Sequence, residues 1–409
     1  MKEQFIVPRG FPKELWGLFA TSVISSIGFS ITMPYMSLFL NNILHIPMTL
    51  VGILLMSAQV IGATVGLYGG EISDRLGRRF IMARSLLGRF FLFVIVGAVI
   101  SRWQNIYLIF FFLITNSVLF SFYIPASQAY VADLISEEHR LSAYGLLRMG
   151  GNLGWALGPA IGGLLSMIDY AYLFFVTAFC MIIATLILIK FCRESLSLRI
   201  SDSAMPGEKY FKLNINFKAI LSVVSDRQFL SFTLISFSIF IVWGQLVSPL
   251  SIYAVNRIGI TKGQLGVLFS INGFMVALFQ YFMTNLVPDK KELEALAIGS
   301  FVYAIGYLSI NFADCFSSLI ISMIIITIAE MVVTPSSQSY ASKIARPENR
   351  GRYLAFYNLA QTFGWAFGPL LGGILLDIFA GRSPFIWVTI SIVALFSTTG
   401  FIIFKRRFS

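Results

Sequence analysis

The chain has 409 residues, 57% hydrophobic and 12% charged, with a mean hydropathy of +0.81. Soluble domains carry about 25% charged residues, so this composition excludes an ordinary water-soluble fold and points to a polytopic membrane protein. The net charge of +11 does not mark a nucleic-acid binder, because most Lys and Arg lie in short segments between apolar runs. A membrane-crossing helix needs about 20 apolar residues. Twelve such runs follow in order, near 15–40, 50–72, 80–100, 105–132, 141–166, 171–191, 229–256, 263–287, 293–312, 316–342, 352–377 and 383–404. The polar start to Glu14 lacks a small-residue cleavage pattern, so the first run is expected to be a retained helix. The longest polar segment separates the sixth run from the seventh and contains the turn-rich stretch Ser201-Asp-Ser-Ala-Met-Pro-Gly-Glu208. Within it, residues 211–224 are mildly amphipathic and suited to lie on a membrane surface. The expected organisation is an all-α membrane protein of twelve transmembrane helices. An N-terminal six-helix bundle spans 1–191, a cytoplasmic linker 192–228, and a C-terminal six-helix bundle 229–409.

Orientation follows from the positive charges. With the N-terminus in the cytoplasm, the outer loops hold only Arg102, Arg257, Lys262 and Arg382, and Arg89 and Arg148 fall within spans. All other Lys and Arg, including Lys405-Arg-Arg407, are then cytoplasmic, so a multi-pass protein of the cell membrane with both termini in the cytoplasm is expected. Cys180, Cys192 and Cys315 are odd in number and widely spaced, so neither a disulfide framework nor a metal site is expected. The two histidines, His45 and His139, fall in loops, and no cofactor motif is present. The spans lack the clustered acids, histidines or metal ligands of a membrane-embedded enzyme.

The chain repeats itself at an offset of 210 residues. Pro125-Ala-Ser-Gln-Ala-Tyr130 falls on Pro335-Ser-Ser-Gln-Ser-Tyr340, and Glu138 and Arg140 fall on Glu348 and Arg350. Gly154-Trp-Ala-Leu-Gly-Pro-Ala-Ile-Gly-Gly163 falls on Gly364-Trp-Ala-Phe-Gly-Pro-Leu-Leu-Gly-Gly373. Thirteen of the 39 positions from 125 to 163 are identical without a gap. Matching Trp, Pro, Gln and Arg at fixed offset are not a product of apolar low complexity. The halves are therefore parallel repeats, an architecture that places substrate near the midplane between them.

Two motifs carry a family resemblance. The loop after the second span reads Gly70-Glu-Ile-Ser-Asp74-Arg75-Leu-Gly77-Arg78-Arg79, and the fifth span holds Gly145, Gly154, Gly158, Pro159, Gly162 and Gly163. With the twelve-span pattern, these resemble the major facilitator superfamily, and the fifth-span glycines resemble its drug/proton antiporter branch. The resemblance implies alternating access, with the loop cluster closing the cytoplasmic side. On physical grounds, Asp74 sits at a helix end where it can accept from the free N–H groups of the next helix, and Asp133 is a plausible partner for Arg78. The glycines let a neighbouring backbone approach closely, and the pattern places them at the interface of the halves. The counterpart loop, Asn285-Leu-Val-Pro-Asp289-Lys290, is degenerate. The chain also departs from many exporters of the branch. Its first span has no acid, and Thr115 and Asn116 stand about where an arginine of the fourth span is common.

Glu330 is the sharpest single residue, because it stands midway in an apolar run with Thr327, Thr334 and Ser337 on its face. Its counterpart is Phe120, so folding symmetry does not require the charge. A carboxylate at that depth can take up and release a proton as water access alternates, or bind a cationic substrate. Arg148, whose counterpart is Asn358, could pair with an anionic substrate group or with Glu330, or simply snorkel to the headgroups. Gln59, Asn116, Tyr123, Asn152, Gln245, Asn272, Gln280 and Thr362 are further polar groups within spans, each as readily interhelical glue as cavity lining. The function expected is proton-coupled export of small amphiphilic or drug-like molecules. The alternative is uptake by a symporter or facilitator for a sugar or metabolite. The expected partners are a small molecule, protons and lipid, with the chain acting as a monomer.

Overall fold

The computed structural model describes residues 11–102, 105–195, 222–287, 291–379 and 384–408. Most of the expected linker, the amphipathic stretch as far as residue 221, the loop residues 288–290 and Arg382 lie outside these. In the first half the helices are α1 (Lys13–Leu38, continued by a π turn Phe39–Ile43), α2 (Met48–Leu76), α3 (Arg78–Arg102), α4 (Ile106–Leu134), α5 (Arg140–Ile168) and α6 (Tyr170–Phe191). In the second half they are α7 (Arg227–Trp243), α8 (Ser248–Tyr253), α9 (Lys262–Asn285), α10 (Glu292–Ser309), α11 (Phe316–Ile344), α12 (Arg350–Ile378) and α13 (Pro384–Phe408). Among the described residues no strand occurs. Among the described residues eleven segments, counting α7 and α8 as one, are long and apolar enough to cross a membrane. The twelfth, α5, is 29 residues long, but its glycines, Arg148, Asn152 and Pro159 dilute its hydropathy.

The repeat is exact in the helix bounds. Helix α4, the following 3-10 turn Glu137–His139 and α5 coincide with α11, Pro347–Asn349 and α12 at an offset of 210 residues. Side-chain oxygens close several helix starts, as the free N–H groups require. Asn105 accepts from Tyr107 and Leu108, Asp226 accepts from Phe229, and Thr261 forms a capping box with Gln264. Side chains such as Phe91, Ile95, Leu164, Phe179, Phe282 and Phe396 are exposed. Such surfaces suit lipid, which needs no polar cover.

Of the described residues, those up to Met33 and those from Ile61 to Ser195 form one compact unit. In it α3 packs on α6 and α4. Gly62, Gly66 and Gly69 of α2 lie against Ser117, Ser121 and Pro125 of α4. The other unit is Pro34–Val60 with the residues from Ser222 onward. Here α10 packs on α13 and α11, and α7 on α12 and α13. Trp387 is fully buried between Tyr253 and Tyr307.

The end of α1 and the start of α2 thus pack with the second unit. Backbone chemistry explains the start of α2. The Asp377 carboxylate, at the end of α12, accepts from the N–H groups of Met48 (3.0 Å) and Thr49 (2.7 Å). It caps α2 from another helix, an arrangement the helix dipole favours. Asn42 and Asn256 add a reciprocal amide pair, each Nδ2 donating to the other's Oδ1 at 2.9 Å.

Candidate functional site

Glu330 lies half-buried in the middle of α11, inside the second unit. The α9 side chain Asn272, 7% exposed, donates through Nδ2 to Glu330 Oε2 (2.9 Å) and to Thr327 Oγ1 (3.0 Å). Thr327 in turn donates to the Met323 carbonyl of its own helix. Tyr303 and Tyr307 of α10 are fully buried and close enough to feel the Glu330 charge. A carboxylate, an amide and a hydroxyl therefore meet where three helices converge. Asn272 is a neutral donor and brings no counter-charge of its own to this contact.

The corresponding place in the first unit has the opposite polarity. Gly62, the counterpart of Asn272, packs on Ser117, the counterpart of Thr327. Phe120 replaces Glu330, and beside it lies Arg89 of α3, 1% exposed. Arg89 Nε donates to Asn116 Oδ1 at 3.0 Å, and its guanidinium sits over Phe120 (5.1 Å) and Phe93 (5.8 Å). A cation thus reaches Asn116 from the neighbouring helix. The signal was visible, since Arg89 is a lone charge in an apolar span, but its partner was not.

The other polar positions separate into distinct classes. Gln245 is fully buried, and its Nε2 donates to the Ile241 and Gly368 carbonyls, so it joins α7 to α12. Gln280 donates to the Met331 carbonyl, joining α9 to α11. Thr362 donates to the Asn358 carbonyl of its own helix. Tyr123 is buried, and its hydroxyl has no hydrogen-bond partner. Gln59 and Asn152 are half-buried on α2 and α5, and Arg148 is exposed on α5.

The loop between α2 and α3 folds into a charged knot inside the first unit. Arg78, 3% exposed, pairs with Asp74, bonds Asp133 through Nε (3.3 Å) and donates through Nη1 to Ser73 Oγ (2.7 Å). Ser195 donates to Asp133 Oδ2 at 3.0 Å, and Arg79 donates to the Ile189 carbonyl at 2.7 Å. The expected acceptor for the start of α3 needs correction. Asp74 is half exposed and turned to Arg78, while Glu194, beyond α6, accepts from the N–H groups of Arg78 (2.8 Å) and Phe80 (3.3 Å). Gly77 turns the chain at φ +101°, and a Cβ there would lie 2.6 Å from the Glu194 carboxylate. Gly70 and Arg75 lie in the last turns of α2. Glu194→Ala should leave two helix-end donors unpaired and cost about 1–3 kcal/mol. Thermal unfolding of the detergent-solubilised protein checks this, and an unchanged midpoint would refute the cap.

Most glycines of the two faces pack within their own half of the chain, whereas Gly373 lies against Met48 and Thr49 at the start of α2. Gly154 and Gly158 of α5 lie against Ser26–Ser30 of α1, where Ser30 donates to the Gly154 carbonyl (2.8 Å). In the second unit, Gly364 and Gly368 lie against α7, and Gly372 faces Gln245 and Pro249. Pro159, Gly162 and Gly163 are buried, whereas nothing lies within 4 Å of a Cβ built at Gly145. Two repeated sets of apolar α-helices, each with an ionisable group at depth, make a polytopic helical membrane protein.

The chain belongs to the Major Facilitator Superfamily, whose sequence profile matches residues 18–294 and 259–408. It is similar to the Na(+), Li(+), K(+)/H(+) antiporter of Planococcus maritimus, 24% identical over 339 residues, covering 78% of this chain and 80% of that one. It is similar also to multidrug resistance protein 2 of Bacillus subtilis, 23% identical over 372 residues and 88% of each chain. Among solved structures, a POT family transporter in complex with 5-aminolevulinic acid superposes with a TM-score of 0.78. That match covers 98% of both chains at 16% identity, and it establishes the fold.

Proposed function

We propose that this transporter exports small amphiphilic or drug-like molecules in exchange for protons. It does so by alternating access, with residues 1–191 and 229–409 as the moving bodies and 192–228 as their cytoplasmic linker. The observation that carries the reading is Glu330, a mid-span carboxylate to which the neutral Asn272 donates. Such a group can exchange a proton whenever water reaches it, and a substrate competing for the same surroundings couples to that exchange. The antiporter and multidrug-resistance names of two relatives favour exchange and export. The knot of Asp74, Arg78 and Asp133 serves in this reading as the cytoplasmic gate, and the distribution of positive charge supports both termini on that same side.

The test is reconstitution into liposomes with an imposed pH gradient and a lipophilic cationic dye. Dye movement opposite to the proton flow is expected. Movement in the same direction as the protons would replace export with symport, and movement indifferent to the gradient would remove proton coupling.

A further inference from the structure

The first unit holds a buried cation to which no described residue supplies an anion. We propose that Arg89, with Asn116 and Tyr123, is a binding site for the carboxylate of a small aromatic ligand. Arg89 is 1% exposed, and its Nη2 has no hydrogen-bond partner. Among the described residues it forms no ion pair: the acids of this unit, such as Asp74, Asp133, Asp169 and Glu194, stand at or beyond helix ends. The Tyr123 hydroxyl, buried near enough to feel the guanidinium charge, also lacks a partner. Burying a guanidinium is costly unless it is paired and fully hydrogen-bonded. Its planar fork matches a carboxylate, and the buried Tyr123 hydroxyl, within electrostatic reach of it, is a donor available to the same ligand.

The surroundings define both the entrance and the rest of the ligand. Phe120 covers the guanidinium at 5.1 Å, yet is itself 37% exposed, so one side chain separates Arg89 from open space. Phe29 stacks on Phe120 at 6.0 Å, and Trp155 meets Phe29 edge-on at 6.1 Å. Rotation of Phe120 about χ1 opens the charge to a ligand, and Phe29 and Trp155 then flank an aromatic body. The contrast with the second unit strengthens the case, since the position equivalent to Phe120 carries Glu330. A purely structural Arg89, held by Asn116 and two rings, would leave ligand affinity untouched when the hydroxyl of Tyr123 is removed.

The inference concerns what the first unit binds and is independent of the direction or coupling of transport. The test is therefore equilibrium binding with no gradient, by calorimetry on the full-length protein. The probes are 1-naphthoate and its cationic analogue 1-naphthylmethylammonium. Saturable binding of naphthoate and a clear preference for it over the amine are expected. Arg89→Gln should weaken it at least ~10-fold and Tyr123→Phe about 3-fold, with partial retention in Arg89→Lys. The proposal falls if naphthoate does not bind, if the two probes bind equally, or if Arg89→Gln binds like the native chain. Should Arg89→Gln fail to fold, unaltered binding by Tyr123→Phe overturns it.

Discussion

Glu330→Gln should fold normally and lose gradient-driven transport. The amide oxygen still accepts from Asn272, so the contact that joins α9 to α11 survives. What disappears is the exchangeable proton. The gradient-driven rate should fall by ~100-fold or more, the scale that a positioned proton carrier contributes. Counterflow of labelled dye at equal pH on both sides should persist, because it needs binding and alternation but no net proton movement. The residual transport of the variant should also be flat with pH, where the native chain is pH-dependent. Full gradient-driven transport by Glu330→Gln would eliminate this residue as the carrier. Loss of counterflow as well would instead make Glu330 a substrate contact.

Gly368→Val should be among the most damaging substitutions, and for a reason unrelated to transport chemistry. Helices α7 and α12 cross backbone to backbone, and a Cβ at Gly368 would sit 2.5 Å from Gly244 Cα and 2.9 Å from the Ile241 carbonyl. Neither atom is the end of a flexible side chain. The helices must move apart, which also breaks the bond from Gln245 to the Gly368 carbonyl. A cost of about 3 kcal/mol or more is expected from overpacking of this kind. Membrane yield and the thermal midpoint in detergent report it. The contrast is Gly145→Ala or Gly351→Ala, where a Cβ meets nothing within 4 Å and helix propensity favours alanine. Those variants should match the native chain or exceed it slightly. A tolerated Gly368→Val would mean that the crossing is looser than its geometry.

Much of this was legible in the chain because the membrane simplifies the code. Apolar length fixed the spans, and the 210-residue match anticipated helix bounds that coincide through α4–α5 and α11–α12. The break between α7 and α8 was not legible. Gly244-Gln-Leu-Val247 reads as a continuing apolar run, and only packing against α12 shows why it turns. Glu330 stood out as a charge where charge is costly. Its grip by Asn272, 58 positions away, depends on the approach of α9 to α11, which no local pattern encodes. Glu194 and Asp377 were passed over for the same reason. Each looks like an ordinary acid near a span end, and each closes the start of a helix far from it in sequence. The glycine motif signals close packing, but a small-residue face says how near a helix comes and not which helix it is: Gly154 meets α1, and Gly373 meets the start of α2.

The Asp377 cap has one more consequence. A carboxylate on α12 holds the first two amide hydrogens of α2, at Met48 and Thr49, and no backbone acceptor within α2 can replace it. Those two hydrogens are protected from exchange while that cap holds and become free when α12 lets go. In deuterated buffer they form a built-in clock for that release, readable without a label or a known substrate.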